Sequence, residues 1–303
     1  MNPFSLIEAL RPNQWIKNLN LLAAAILNGQ LTNPIIFFKS IQGMVVFCML
    51  SSCAYLVNDL TDAKNDRLHP LKKFRPIARG DLSTSLALTT ALSLAIGGLS
   101  LAILVNQNFF WVSLVFLLLQ FVYTFLLKKK AILDIIGISL FFIIRAYAGE
   151  LATGYHLPVW IMLTVIFLSL FIASGKRRSE LVKTGSKTRA ALENYGRGLL
   201  NFYTTMFAVC TLVSYALYTF FAEPIRFQGL IHHFLSDNFP SALDRKWYMA
   251  TLLPVIFGIM RYGQIIFEMQ EGERPERVIA SDIPLLLSVM LWGMMMIAII
   301  YVL

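Results

Sequence analysis

Charge is scarce in this chain of 303 residues: only 14% of it is Asp, Glu, Lys or Arg, against about 25% in ordinary soluble domains. That scarcity excludes a conventional water-soluble fold. Cysteine is nearly absent too. Cys48, Cys53 and Cys210 lie inside apolar runs with no CxxC or Cys/His spacing, which excludes a disulfide framework or thiolate metal site and leaves buried, inert thiols. The four histidines, His69, His156, His232 and His233, form no His/Asp/Ser constellation, so no catalytic triad is expected. The single GxG at Gly196–Gly198 lacks the strand–turn–helix setting of a dinucleotide site. The first eighteen residues contain no compact apolar stretch, so no cleavable signal peptide is expected. No composition shift, low-complexity tract or clear repeat divides the chain, and residues 1–303 are expected to form a single integral-membrane domain.

What is present in excess is apolar. Hydrophobic residues make up 57% of the chain, mean hydropathy is +0.66, and the excess is gathered into long runs. Seven stand out: Ile41–Val57, Leu86–Val105, Phe109–Leu127, Ala131–Ala152, Leu157–Ala173, Leu199–Phe221 and Ile283–Leu303. An eighth, Tyr248–Phe267, is interrupted by Pro254 and Arg261, and a ninth, Leu19–Leu27, is short. About 20 apolar residues span the hydrocarbon core as a helix. The expected fold class is therefore all-α, a polytopic membrane bundle.

The net charge of +9 finds its explanation in that bundle rather than in nucleic acid, which is not an expected partner. Most of the 26 Lys and Arg fall in alternate connections. Arg11 and Lys17 precede the first span; Lys64 to Arg79 follow the second; Lys128, Lys129 and Lys130 follow the fourth; Lys176 to Arg197 follow the sixth; Arg261, Arg274 and Arg277 lie near the eighth. The intervening loops at Asn28–Pro34, Asn106–Asn108 and Tyr155–Pro158 carry no Lys or Arg, and only Ala222–Lys246 is mixed. Positive charge stays on the cytoplasmic side. This places the N-terminus in the cytoplasm and the C-terminus outside, with parity requiring nine transmembrane helices.

The informative segment is Asn58-Asp59-Leu60-Thr61-Asp62-Ala63-Lys64-Asn65-Asp66-Arg67. Asp59, Asp62 and Asp66 are spaced i, i+3, i+7 and share one face of a continued helix, at its cytoplasmic end. Carboxylates crowded there repel, and a hard divalent cation such as Mg²⁺ removes the repulsion while keeping positions open for phosphate oxygens. The plainer alternative is a solvated helix end whose acids pair with Lys64 and Arg67. The nearby Lys72, Lys73, Arg75 and Arg79 favour metal plus polyphosphate, since they set cations beside the acids.

A second polar run, Ser174-Gly175-Lys176-Arg177-Arg178-Ser179-Glu180, ends the sixth span. It reads equally as positive punctuation of a helix end, with Lys176 and Glu180 paired at i, i+4, or as a clamp for phosphate oxygens. Tyr123 and Lys128 at the end of the fourth span are similarly open. Arg145 sits in mid-run, where an arginine must find a partner inside the bundle; Asp134 or Glu150 is the expected one, in a structural ion pair.

The run Asn58–Gly80, NDxxDxxxDRxHPxKxxRPIAxG, resembles the first signature of the UbiA superfamily of intramembrane prenyltransferases. Further stretches narrow the resemblance: Arg11-Pro12-Asn13-Gln14-Trp15-Ile16-Lys17-Asn18, Tyr123 to Lys128 with Leu133-Asp134, Arg145 with Ala148-Gly149, and Gly175 to Leu181. Together they look like the branch called decaprenyl-phosphate phosphoribosyltransferase, with a looser match at Arg261-Tyr262 and Pro275–Asp282. The resemblance implies nine transmembrane helices around a central cavity open to the cytoplasm, in a bacterial plasma membrane.

One departure separates functions. Members that use prenyl diphosphates carry a second Asp-rich motif after the sixth helix, where this chain has GKRRSE. The resemblance then implies transfer of 5-phosphoribosyl from phosphoribosyl diphosphate to a polyprenyl monophosphate. Mg²⁺ would sit on Asp59, Asp62 and Asp66, with Asn58 orienting the site. Arg67, Lys72, Arg75, Arg79 and the Lys176, Arg177, Arg178 and Glu180 group would serve the donor's phosphates, with Gln14, Lys17, Tyr123 and Lys128 as phosphate or ribose contacts. Membrane lipids would surround the isoprenoid tail. Two other functions remain: prenylation of an aromatic acceptor, against which GKRRSE argues, and a non-enzymatic transporter, against which argues the crowding of ionisable groups at one interface.

Overall fold

The structure is a computed structural model describing residues 3–68, 72–184, 194–223, 235–269, 272 and 275–302. His69, Pro70, Lys187, Arg189, His232, His233 and Arg274 lie outside them, as do residues 224–234 of the mixed loop after Ala222. The described residues are helical, with no strand among them. They fall into two compact units, one of residues 3–25 and 30–156, the other of 26–29, 157–184 and 194–302.

In the first unit, α1 (Pro3–Leu10) leads into a 3-10 helix, Pro12–Leu22, continued by α2 (Ala23–Leu27). Then come α3 (Pro34–Leu68), the single turn α4 (Pro76–Arg79), α5 (Thr84–Val105), α6 (Gln107–Phe125) and α7 (Leu133–Thr153). The second unit holds α8 (Val159–Thr184), α9 (Arg197–Phe221), α10 (Leu252–Gln264) with a π-turn over Ile265–Met269, α11 (Pro275–Ser281) and α12 (Ile283–Ile297). Eight of these helical stretches are long and apolar enough to cross a membrane, so the protein is an integral membrane protein. The short run Leu19–Leu27 is not among the eight, because it is divided between the end of the 3-10 helix, Leu19–Leu22, and the five-residue α2, neither of which is a long helix by itself.

Packing follows the rules of lipid rather than water. Along α5 the buried face is Ala87, Ala91, Gly98 and Ala102, while Leu88, Leu92, Ile96 and Ile103 are exposed. Small residues let backbones approach, and that is how transmembrane helices associate when lipid is as apolar as leucine. A Cβ on Gly98 would lie 2.9 Å from Leu50 of α3. Phe47 of α3 fills the centre of this unit, with ring centroids 4.6 Å from Phe116 and 5.8 Å from Phe109.

Three local features position the site. First, α3 has 35 residues, about 50 Å at 1.5 Å per residue, whereas the hydrocarbon core is about 30 Å thick. The helix is therefore several turns longer than such a core, and its last turns carry the three aspartates on regular helix. Second, burial along the 3-10 helix repeats in threes apart from exposed Trp15: Asn13, Ile16 and Leu19 are exposed, Gln14, Lys17 and Asn20 half-buried, Asn18 and Leu21 buried. Three residues per turn eclipses i and i+3, so Gln14 and Lys17 share one edge. Third, among the described residues two non-glycine residues have positive φ, Arg11 at 55° and Ile132 at 67°; the first is itself a cation of the site and the second closes the turn that follows Lys128.

Ile132 is the centre of a tight turn closed by Leu133 N–H donating to the Ala131 carbonyl at 2.8 Å, the strained form of a γ-turn. Its side chain is exposed, so replacement by glycine removes strain without opening the core. Ile132→Gly is expected to raise thermal stability by about 1 kcal/mol while lowering turnover, since the Lys128 turn loses its stiffness. A melt and an activity assay on the same preparation check this; unchanged turnover would show that the strain serves nothing.

Candidate active site

Asp59, Asp62 and Asp66 do share a face of α3, and their counter-charges come from elsewhere in the chain. Asp59, 2% exposed, accepts from Arg11 Nη2 on both oxygens, at 2.5 and 2.8 Å. Its Oδ1 also accepts from Arg75 Nη1 at 3.0 Å, and the same nitrogen reaches Asp66 Oδ2 at 2.7 Å. Arg75 thus bridges two carboxylates. Lys128 Nζ takes Asp62 at 2.7 and 2.9 Å and the Asn58 side-chain oxygen at 3.1 Å. Arg11 additionally lies over the Tyr55 ring, 5.0 Å from its centroid.

Asn58, the three aspartates, Arg11, Arg75 and Lys128 therefore belong to one neighbourhood drawn from four stretches of sequence. The helix-end alternative, in which the acids pair with Lys64 and Arg67, is not what is seen. Arg67 instead donates from Nε to the Ala78 carbonyl at 3.1 Å and ties α3 to α4. Among the described residues no three His, Cys, Asp or Glu side chains converge as a ready-made metal cluster, because guanidinium and ammonium groups sit among the carboxylates. The donor set itself, three carboxylates and an amide oxygen on one helix face, is the hard-oxygen chemistry that Mg²⁺ prefers. In that chemical sense the residues fit the ion.

The remaining expected contacts are spread around this centre. Lys72 begins a 3-10 turn, Lys72–Phe74, whose carbonyl receives the Arg75 N–H at 3.0 Å. Arg79 is more exposed and is held by Asp81 at 2.5 Å, Glu8 at 2.8 Å and the Phe74 carbonyl at 3.1 Å. The Asp81 carboxylate raises the Arg79 guanidinium further above its ordinary value. Tyr123 packs edge-on against Phe141, 5.3 Å between centroids, and over Gly137, where any Cβ would stand 2.7 Å from its ring. Gln14 and Lys17 are half-buried on their shared edge.

Arg145 departs from expectation. Its partners are neutral: Nε donates to Asn18 Oδ1 at 2.7 Å, Nη1 to the Phe141 carbonyl at 2.8 Å, and Nη2 to Ser51 Oγ at 3.1 Å. Glu150 instead meets His156 Nδ1 at 3.1 Å. The expected ion pair with Asp134 or Glu150 gives way because Asn18, far away in sequence, brings an amide oxygen to the guanidinium.

In the second unit the Lys176–Glu180 run is largely engaged in holding its own scaffold. Arg177 is fully buried and pairs with Glu180 at 2.5 Å, an i, i+3 contact within the helix. Arg178 donates to Asn201 at 2.7 Å and to the Ile266 carbonyl in the π-turn at 2.6 Å, with the Phe267 ring 4.3 Å away. Gly175 admits Ile266 so closely that a Cβ would lie 2.4 Å from it, and Ser179 Oγ accepts from the Gly272 N–H at 3.1 Å. Lys176 is half-buried. Arg261 is bound to Asp282 at 2.7 and 3.1 Å, and that bond holds the Asp282 carboxyl below its usual range.

Two members of the site escape the sequence reading, Arg11 and Asn18. Both lie in the stretch that carried the family resemblance, but neither has a local chemical signal. Their partners are 48 and 127 residues away.

A family model described as the UbiA prenyltransferase family matches residues 20–177. A decaprenyl-phosphate phosphoribosyltransferase of Mycolicibacterium smegmatis is 37% identical over 95% of this chain and 89% of its own length. The protein of the same name from Corynebacterium glutamicum is 35% identical over 98% of this chain and 87% of its own. Among solved structures, a UbiA homolog from Archaeoglobus fulgidus bound to GPP and Mg²⁺ superposes with a TM-score of 0.70, at 19% identity, over 98% of this chain and all of that one. That likeness concerns the fold.

Proposed function

Because the chain belongs to the UbiA prenyltransferase family, we propose that it transfers a 5-phosphoribosyl group from phosphoribosyl diphosphate to a polyprenyl monophosphate. The observation that carries this reading is the near-full-length similarity to two decaprenyl-phosphate phosphoribosyltransferases. The basic run at Lys176–Arg178, in place of a second acidic motif, supports it.

In the reaction a lipid phosphate oxygen attacks the anomeric carbon, the bond from that carbon to the diphosphate oxygen breaks, and pyrophosphate leaves with the electron pair. An ionised phosphate nucleophile requires no general base, which suits a centre built of carboxylates and cations. Catalysis then rests on positioning and on charge neutralisation. Asp59, Asp62 and Asp66, with Asn58, would hold Mg²⁺, whose chemistry when bound is to offset the charge of the leaving pyrophosphate. Arg75 and Lys128 are poised to exchange a carboxylate for a donor phosphate. Lys72 and Arg79 add positive charge at the rim, and Gln14, Lys17 and Tyr123 supply contacts to ribose or phosphate. In the Lys176–Glu180 run, Arg177 and Arg178 serve the scaffold, and the phosphate contact falls to Lys176.

The stretch Pro12–Leu27 supplies the ninth crossing. Eleven 3-10 residues and five α residues, rising about 2.0 and 1.5 Å each, cover about 30 Å, the thickness of the hydrocarbon core. With nine crossings in a bacterial plasma membrane, the basic connections support a reading in which the acidic site and the N-terminus face the cytoplasm, the C-terminus lies outside, and the isoprenoid tail lies among lipids. On this reading the chain is a single integral-membrane domain.

Purified protein in detergent, given Mg²⁺, phosphoribosyl diphosphate and a polyprenyl monophosphate, is expected to release pyrophosphate and add a phosphoribosyl mass to the lipid. EDTA is expected to stop both. Turnover of a prenyl diphosphate with an aromatic acid, and none of phosphoribosyl diphosphate, would replace this reading with aromatic prenylation.

A further inference from the structure

We propose that Arg145 is a positioning residue for the acidic site: by holding Asn18 it fixes the 3-10 helix whose leading edge presents Arg11 to Asp59. This rests on the functional reading above only in taking Asp59 as a site residue.

Arg145 lies within α7 and is 3% exposed. A charge at such depth is costly and persists where protein groups replace its water. All of the oxygens on its three nitrogens are neutral, and the Phe116 ring lies 4.8 Å from it. Neutralising a buried acid is therefore not its task. For packing alone, an apolar side chain of similar volume fills the space at lower desolvation cost. What a guanidinium adds is direction, since its fork fixes Asn18 and Ser51 in one relative register.

Two more contacts from the same helix converge on the same segment. Asn20 Nδ2 donates to the Phe142 carbonyl at 2.9 Å. At Gly149 the Leu21 carbonyl oxygen passes 2.2 Å from where a Cβ would stand. One side of α7 thus grips Asn18, Asn20 and Leu21. Such anchoring is needed, because 3-10 hydrogen bonds are poorly aligned and runs beyond three or four residues are uncommon; this one has eleven. At the other end Arg11 is left-handed, a conformation that costs a non-glycine residue about 1–2 kcal/mol and persists where surroundings over-determine it. Trp15 Nε1 donates to Ser52 Oγ and Ser52 Oγ to the Leu10 carbonyl, both at 3.0 Å, which closes that end. Seven residues at about 2.0 Å rise separate Arg11 from Asn18 by about 14 Å. Arg145 acts through the segment, not on the substrate.

The test uses the full chain in detergent and measures binding of Mn²⁺ with inorganic pyrophosphate by electron paramagnetic resonance, beside a thermal melt. Arg145→Met and Asn18→Ala are each expected to weaken binding by roughly 10- to 100-fold, the scale of loss for a binding group misplaced by up to an ångström. The double variant is expected to bind no worse than the weaker single one, because both break one linkage. Wild-type binding in the folded Arg145→Met protein, or additive losses in the double variant, would overturn the proposal. Should Arg145→Met not fold, Asn18→Ala is judged by the same binding criterion, with wild-type affinity overturning the proposal. Asp59→Asn separates the two readings. Loss of binding in Asp59→Asn with none in Arg145→Met overturns this inference alone, whereas equal binding by wild type and Asp59→Asn overturns the metal assignment beneath both.

Discussion

Replacing Asp59 by Asn is expected to lower phosphoribosyl transfer by about 10³-fold or more, the loss typical when a group that meets transition-state charge is removed. The exchange is nearly isosteric, so packing is retained while a full negative charge is lost. Asp59 is the most heavily engaged of the three acids, holding Arg11 through both oxygens and sharing Arg75 with Asp66. Without its charge, two guanidinium groups lose their counter-ion and Mg²⁺ loses an anionic ligand. Asp62→Asn is expected to lose less, because Lys128 keeps the Asn58 oxygen as a second partner. The check is initial-rate pyrophosphate release at saturating donor for both variants, on protein shown to be folded. Wild-type turnover in Asp59→Asn would remove these carboxylates from the chemistry altogether.

Gly149→Ala is expected to cost about 3 kcal/mol or more of stability, the upper part of the overpacking range. A new methyl would meet the Leu21 carbonyl oxygen at 2.2 Å and its carbon at 2.9 Å. Both are backbone atoms, so no rotamer change relieves the contact, and the 3-10 helix must move away from α7. Thermal inactivation in detergent should show a lower midpoint and weaker donor binding together. Gly154→Ala, at a φ of 80° with open space around it, is expected to cost only the modest price of a left-handed alanine. Equal midpoints for the two variants would mean that the Leu21 approach is not a fixed feature of the fold.

How much of this was legible beforehand depends on the range of the interaction concerned. Apolar runs longer than a bilayer is thick announce helices whatever they pack against, and eight of the nine expected runs are such helices. The spacing of Asp59, Asp62 and Asp66 is a property of one helix, so their common face follows from periodicity. The dipeptide Arg11-Pro12 and the run Leu19–Leu27 carry no comparable sign of a long 3-10 helix, since that conformation survives through contacts with α7 that lie more than a hundred residues along the chain. Arg177 and Arg178 read as equivalent cations beside Lys176. One is buried against Glu180 and the other braces a π-turn near Ile266, contacts made by tertiary packing that no local spacing encodes.

Composition and local spacing by themselves determined that the protein lives in a membrane and that its acids stand together at a helix end. Both depend on free energies summed within one segment: transfer of apolar area in the first case, helical geometry in the second. Which cation meets which acid was decided only by the tertiary structure. Lys64 and Arg67 are nearer in sequence, yet Arg11, Arg75 and Lys128 hold the carboxylates. A charge pair forms where whole elements bring two groups to about 3 Å, and that placement is set by the packing of α3, α6, α7 and the 3-10 helix rather than by proximity along the chain.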